Sequence, residues 1–466
     1  MTFEQQSNLR SNLPTAGFPA LPAAYPSMLL SLQHQLDASQ WWTPEQLLEK
    51  QFQQLRQVLT HARNKIPFHA ARLKQAGIDP GKEITMDEWM RIPFMSRRDF
   101  QGKEKRFTAN PPPTGHGQLT ELKTSGSTAQ PIKIYATRLV QFYWDALSMR
   151  DHYWHKRDFN RKLVSIRYIS SDKAAYPKGM TTSSWGDPVN SIFRTGPAAG
   201  LDIKRTDVAD QLEWLSRQEP EYFLTYPSNA AELAKLTISE GREFPSLKEL
   251  RLMGEVTDEA TREICGRAWK VPISDMYSAN EVGYIALQCP EEGKLHIQSE
   301  NVLVEVVDED GKACAPGETG KVVVSTMQNF AMPMIRYELG DYAEVGAPCA
   351  CGRGLPVLNR VLGRVRNMLA LPTGKSYWPV SGWGKFAKIA PITQHQLVQK
   401  DLENIEVRLV AERPLETGEE DELRKVIAEH LGHEFHFTFV RVDRIERSAG
   451  GKFEEFLSEV PTSRPA

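Results

Sequence analysis

The chain has 466 residues, 40% of them hydrophobic and 25% charged, with a net charge of −2 at neutral pH. That length asks for two domains rather than one core, and the near-neutral balance excludes broad electrostatic binding to nucleic acid or to an anionic membrane. No apolar run is long enough to span a bilayer, and the first residues lack the basic start and apolar core of a secretory signal. Five scattered Cys fit a reducing, cytoplasmic setting better than a disulfide scaffold.

The first thirty or so residues are rich in Pro, Ser and Ala and are expected to run irregularly over the surface. "QFQQLRQVLTHARNKIP" then predicts an amphipathic helix: Phe52, Leu55, Val58, Leu59, Ala62 and Ile66 share one stripe, and Pro67 stops it. A second helix is expected from Leu139 to Trp154, followed by a buried strand in "KLVSIRYIS". Strands and helices then alternate through "EYFLTYPS", "NAAELAKLTISEG", "LKELRLMGE", "TDEATREICGRAW" and "PISDMYS". Such alternation predicts an α/β core with a largely parallel sheet. After Glu300 two β-rich runs flank a polar Asp-Gly turn, which reads as a hairpin. The last hundred residues predict a small α+β unit: a strand in "NIEVRLVAE", a helix in "EDELRKVIAEHLG" and a strand in "EFHFTFVRVDRIE". The division falls between Val361 and Gly374, giving domains 1–363 and 364–466.

Four stretches carry chemistry. "TSGSTAQPIK" packs small hydroxyl residues and a glycine ahead of Lys133, which suits a phosphate or an ordinary turn. No Lys-Ser/Thr pair follows a second glycine at Walker spacing. "DMYSANE" follows at a strand end, then "IRYELGDY" with "LGRVRNML", and far downstream "SAGGKFEEF". Together with "NKIPFHAARLKQAGI" and "MDEWMRIPFMSRRDF", this order resembles the adenylate-forming superfamily, in its phenylacetate–CoA ligase-like branch. The resemblance covers nearly the whole chain. It implies a large N-terminal adenylate-forming domain with mixed sheets and helices, plus a small mobile α+β C-terminal domain.

By that resemblance Thr124, Ser125, Gly126, Ser127 and Thr128 form the phosphate loop for ATP, with Ala129 in place of a second glycine. Tyr277 stacks on adenine, Asp275 accepts from its amino group, and Glu281 holds magnesium, a hard cation that prefers carboxylate oxygen. Ser278 and Asn280 replace the family's Gly and Thr. Gly254 and Glu255, in "MGE", match the loop whose backbone lies against adenine. Asp341 takes both ribose hydroxyls, since one carboxylate accepts two hydrogen bonds, and Arg364 reaches the ribose and phosphate region. Lys452 is the catalytic electrophile that stabilises charge building between carboxylate and α-phosphate. Arg366 stands where relatives carry the hinge aspartate.

Cys289, His296, Cys349 and Cys351 offer three thiolates and an imidazole, a tetrahedral shell for a structural zinc ion; Cys265 and Cys314 stand apart from it. By position, Tyr226, Pro227, Trp185, Phe193 and Gly196 are candidates to wall an acyl pocket, and aromatic walls suit an aromatic acid. The basic run "SRRDFQGKEKRF" reads as a solvated face. The expected function is ATP-dependent activation of a carboxylic acid to an acyl-adenylate, with CoA as the default acceptor. Two alternatives stand beside it: transfer to an amine or a carrier-protein thiol, and a zinc-stabilised nucleotide- or acyl-binding protein without catalysis. The resemblance also allows a homodimer.

Overall fold

A computed structural model describes residues 8–123, 132–364, 367–373, 376–377, 386–448 and 450–460. The phosphate-loop residues Thr124 to Thr128, Ala129 and the hinge residue Arg366 lie outside the described residues.

Three helices open the chain: α1 (Ala24–Ser39), α2 (Pro44–Lys65) and α3 (Pro67–Ala76). The first begins inside the stretch expected to be irregular, because Leu29 and Leu36 bury against the core. A capping box of Thr43 and Gln46 starts α2, and its predicted stripe of Leu55, Val58, Leu59 and Ala62 is buried. Pro67 ends α2 and also opens α3, where its missing N–H costs nothing. A short hairpin follows, β1 (Leu119–Lys123) and β2 (Lys133–Thr137), and leads directly into α4 (Arg138–Trp154).

The next six strands form one sheet: β3 (Leu163–Arg167), β4 (Met180–Thr182), β5 (Ala198–Asp202), β6 (Tyr222–Thr225), β7 (Glu249–Leu252) and β8 (Ile273–Ser274). Their order is β4-β5-β3-β6-β7-β8, parallel throughout except at β4. Helices α5 (Val208–Gln218), α6 (Pro227–Glu240) and α7 (Glu259–Trp269) make the crossovers and bury Leu212, Leu215, Leu233 and Cys265 against it. Pro227 at the first turn and Gly241 with φ +63° just beyond the last mark the ends of α6.

"PISDMYS" divides between two sheets. Asp275 separates β8 from β9 (Met276–Ala279), the edge strand of a seven-stranded sheet with β10 (Gly283–Gln288), β11 (Leu295–Ile297), β12 (Val302–Val307), β13 (Thr319–Thr326), β14 (Tyr337–Val345) and β15 (Val357–Arg364). Its order is β12-β13-β14-β15-β11-β10-β9, antiparallel at every pairing. The expected hairpin is β12–β13. The rest of this sheet was not anticipated.

After a two-stranded pair, β16 (Leu369–Ala370) and β17 (Ser376–Tyr377), the small unit adds β18 (Ile392–Gln399), β19 (Asn404–Ala411), β20 (His436–Arg441) and β21 (Phe456–Ser458). Helix α8 (Thr417–His430) covers this sheet, and Leu397, Val407, Leu423 and Ile427 form its own core.

Beneath the parallel sheet lies a buried ionic network. Arg157 pairs with Asp151 of α4 at 2.5 Å and donates to both carboxylate oxygens of Glu249 at 2.6 and 2.7 Å. Its Nη2 also donates to Ser274 of β8 at 3.1 Å, and Arg251 pairs with Asp151 at 3.0 Å. One side chain therefore ties α4 to β7 and β8. Arg157→Met leaves Asp151 and Glu249 buried with too few cations, and should cost about 3–5 kcal/mol. Urea unfolding of the large domain, followed by tryptophan fluorescence, measures the loss.

Candidate active site

Parallel α/β sheets place ligands beyond the carboxyl ends of their strands, and there the chain gathers most of its expected site residues. Tyr226 and Pro227 follow β6, and Met253, Gly254 and Glu255 follow β7. Gly254 has φ +80°, and a Cβ there would stand 3.3 Å from the Tyr226 ring and 3.4 Å from Lys452 Cε. Only glycine lets all three groups meet without displacement.

The antiparallel sheet supplies the adjoining wall. Asp341 on β14 is in register with Arg364 on β15, and their side chains stand 3.5 Å apart. The Tyr277 hydroxyl donates to the other Asp341 oxygen at 2.8 Å, so the two expected nucleotide contacts are joined in advance. Ser278 continues β9 opposite Tyr284, and Asn280 to Val282 make the tight turn into β10. Glu281 sits in that turn, 9% exposed, with its pKa raised by burial and drawn back by Arg364 and Arg97. A buried carboxylate of this kind is under-compensated and suits a hard cation such as magnesium. Asp275, at the crossing between sheets, is pushed up to about 6 by burial; Met276 N–H donates to it at 2.7 Å and Arg262 lies at 3.6 Å.

Lys452 comes from the small unit, on the loop between β20 and β21. Burial and Arg364 lower its pKa, against the pull of Glu255, Asp341 and Glu281. The lysine thus meets residues from both large sheets although it lies 171 positions beyond Glu281. Lys133 stays on the hairpin, exposed and paired with Glu121 at 3.1 Å. Beside Glu281 a narrow cleft, with room for about one water, lies between apolar Ile134, Ala136 and Val140 and polar Asn280, Asn301 and Gln328.

Three of the acyl-pocket candidates lie elsewhere. Trp185, Phe193 and Gly196 belong to the amino ends of the parallel strands, since Gly196 leads into β5 and Trp185 packs on Tyr222 at the start of β6. The Trp185 indole N–H donates to the Arg161 carbonyl at 2.7 Å, Phe193 is fully buried on Phe159, and Gly196 lies tight against the Asn160 backbone. They stand at the strand ends opposite Lys452, Phe193 fully buried and Trp185 and Gly196 partly buried. Tyr226 alone of the aromatic candidates lies at the carboxyl ends of the strands, beside Gly254 and the Lys452 loop.

The Cys/His set comes together as expected. Cys289 follows β10, His296 is on β11, and Cys349 and Cys351 are on the loop between β14 and β15, with all four donor atoms within 4.8 Å of one another. Cys349 and Cys289 sulfurs are 3.9 Å apart and Cys351 is 3.3 Å from His296 Nε2. Tetrahedral zinc with Zn–S of about 2.3 Å requires sulfur pairs at roughly 3.8 Å, so the separations fit. His296 Nδ1 lies 3.3 Å from the Leu355 carbonyl, which orients Nε2 toward the cluster. Burial holds His296 down at about 4 and pushes Cys289 up to about 12, so the imidazole is a neutral donor and a cation is what would ionise that thiol. Cys265 is buried on α7 and Cys314 half-buried in a turn.

Sequence reasoning missed the residues that seat the small unit: Tyr168, Ser228, Glu232 and Arg447, none of which belongs to a recognisable motif. Arg97, read with its basic run as a solvated face, instead acts by its charge on Glu281.

A family profile described as the CapK C-terminal domain matches residues 385–459. The chain is 24% identical over 450 residues to a phenylacetate-coenzyme A ligase of Thermus thermophilus, covering 89% of this chain and 96% of that protein. Among solved structures, 2-hydroxyisobutyryl-CoA ligase in its postadenylation state superposes with a TM-score of 0.68 at 18% identity, over 90% of this chain and 91% of that one. The same protein in its thioesterification state gives 0.56 over 91% of each chain. The chain is thus similar to phenylacetate–coenzyme A ligases along about nine-tenths of its length and shares the fold of 2-hydroxyisobutyryl-CoA ligase.

Proposed function

We propose that the chain activates a carboxylic acid with ATP and then forms a CoA thioester. A carboxylate oxygen attacks the α-phosphorus, the bond to the bridging oxygen of pyrophosphate breaks, and an acyl-adenylate results. The CoA sulfur, as thiolate, then attacks the acyl carbon and AMP departs. The observation that carries this reading is the meeting of Lys452 with Gly254, Asp341, Arg364 and Glu281 at the strand ends. A fixed ammonium there stabilises charge as it develops, in a site partly shielded from water. Asp341, braced by Tyr277 and Arg364, is placed to accept from ribose hydroxyls. Glu281 would hold magnesium, which would neutralise phosphate charge.

The acid is proposed to be aromatic. That rests on the phenylacetate ligase relative and on Tyr226, since Trp185 and Phe193 lie at the amino ends of the strands. Pyrophosphate release with phenylacetate, benzoate and 2-hydroxyisobutyrate, with and without CoA, should rise above background for at least one acid, and CoA should be consumed as a thioester. Lys452→Ala should lower release by about 10²–10³-fold. No release with any acid would leave a binding protein, and release without CoA consumption would point to an amine or carrier-protein acceptor.

We further propose zinc at Cys289, His296, Cys349 and Cys351. A cation closed off by four protein donors is structural, and its chemistry is to hold the β10–β11 hairpin to the β14–β15 loop. Protein purified without added zinc should carry about one ion per chain. Cys349→Ser should lose the ion and melt at lower temperature; an unchanged zinc content in that variant would remove Cys349 from the set.

A further inference from the structure

We propose that Arg447 is a positioning residue, a clasp that seats the Lys452 loop on the large domain. Its consequence for catalysis rests on the adenylation reading; the contact itself does not.

Arg447 stands five positions before Lys452 on the same loop and grips both sides of the seam. Toward the large domain, its guanidinium donates to Ser228 Oγ at 2.9 Å and to Glu232 Oε2 at 3.2 Å, both on α6. Toward its own loop it donates to the Gly451 carbonyl at 3.4 Å and lies 5.6 Å from the centre of the Phe453 ring. The Arg447 and Glu232 side chains are 10% and 15% exposed, so the pair is largely withdrawn from water.

The seam around it is closely fitted. Gly451, φ +79°, enters a niche where a Cβ would stand 3.1 Å from Ile203, 3.2 Å from Tyr168 and 3.4 Å from Tyr226. The Tyr226 hydroxyl donates to the Gly450 carbonyl at 2.9 Å. Glu255 accepts from Ser228 N–H at 2.9 Å with one oxygen and from Phe453 N–H at 2.7 Å with the other. Backbone contacts on both sides of Lys452 thus fix the loop. Arg447 supplies the long, charged side chain that reaches α6, whose amino end adjoins Tyr226 and Glu255. Truncating one partner of a desolvated, hydrogen-bonded charge pair is costly because the other charge is left behind. Glu232 would be that residue.

The test reads the seating of Lys452 directly, through its rate of acetylation by sulfo-N-hydroxysuccinimide acetate, followed by peptide mass spectrometry. In Arg447→Met the rate should rise at least about tenfold, as a weakened charge pair releases the loop. Arg447→Glu and Glu232→Arg alone should do the same, and the double swap should bring the rate back toward wild type. That rescue distinguishes a clasp from general loosening and guards against a variant that fails to fold. Pyrophosphate release with phenylacetate should fall and recover in the same order. Unchanged Lys452 labelling in the three single variants, or failure of the swap to restore it, overturns the clasp. Labelling that responds in a protein that releases no pyrophosphate with any acid supports the clasp and counts against the proposed activity.

Discussion

Gly254 carries the constraint on which the site turns. It closes the strand β7 in a left-handed conformation, and the Tyr226 ring and the Lys452 stem both stand within van der Waals contact of the place a side chain would occupy. Adjacent parallel strands end level with one another, so the loops after β6 and β7 form a continuous floor. The small unit is set down on that floor, with Gly451 in the niche of Tyr168, Ile203 and Tyr226. Two glycines from distant parts of the chain thus allow two backbones to approach closely, and the lysine beside them is delivered to the strand ends.

The charges on either side of this seam are asymmetric. The large domain presents Glu255, Glu281 and Asp341, with Arg364 as the cation paired to Asp341. The small unit brings Lys452 and Arg447. Burial raises the pKa of Glu255 and Glu281, the mark of carboxylates that water no longer stabilises and that gain from an incoming cation. Docking the small unit supplies cations to this floor.

Much of this was legible in the chain itself. Periodicity in residues 51–66 and the alternation from Leu163 to Trp269 gave the amphipathic helix and the parallel sheet, because single-face burial and crossover connections leave local patterns. The order of short motifs brought Asp341, Tyr277, Glu281 and Lys452 to one place, and the cysteine and histidine spacing led to a compact cluster. The extent of the seven-stranded sheet was not legible. Its strands pair across separations such as β11 with β15, and one-sided or full burial leaves no signal of the partner. Trp185 and Phe193 misled for a related reason: an aromatic ring in a core and one lining a ligand pocket have the same sequence signature. Strand polarity decides between them, and both rings fall at the amino ends. Arg447 was invisible because an arginine five positions from a lysine in a polar loop is ordinarily solvated.

The turn that holds Glu281 is anchored from its far side twice. Strand β10 runs from Gly283 beside the turn to Gln288, six buried residues or about 20 Å at strand rise, and ends against Cys289 of the Cys/His cluster. Strand β9 leaves the other side of the turn and passes through Asp275 into β8, where Ser274 is tied to Arg157 and Glu249. The Cys289 anchor is remote from the proposed nucleotide positions, whereas Ser274 directly precedes one of them, Asp275. Each fixes one strand of the hairpin whose tip presents Tyr277, Asn280 and Glu281, so a shift at either far end is carried along a rigid strand to the tip. A buried ion pair contributes little net stability when compared with apolar packing. What it does here is join α4, β7 and β8 through one side chain, Arg157, β8 being the strand that leads through Asp275 toward the Glu281 turn.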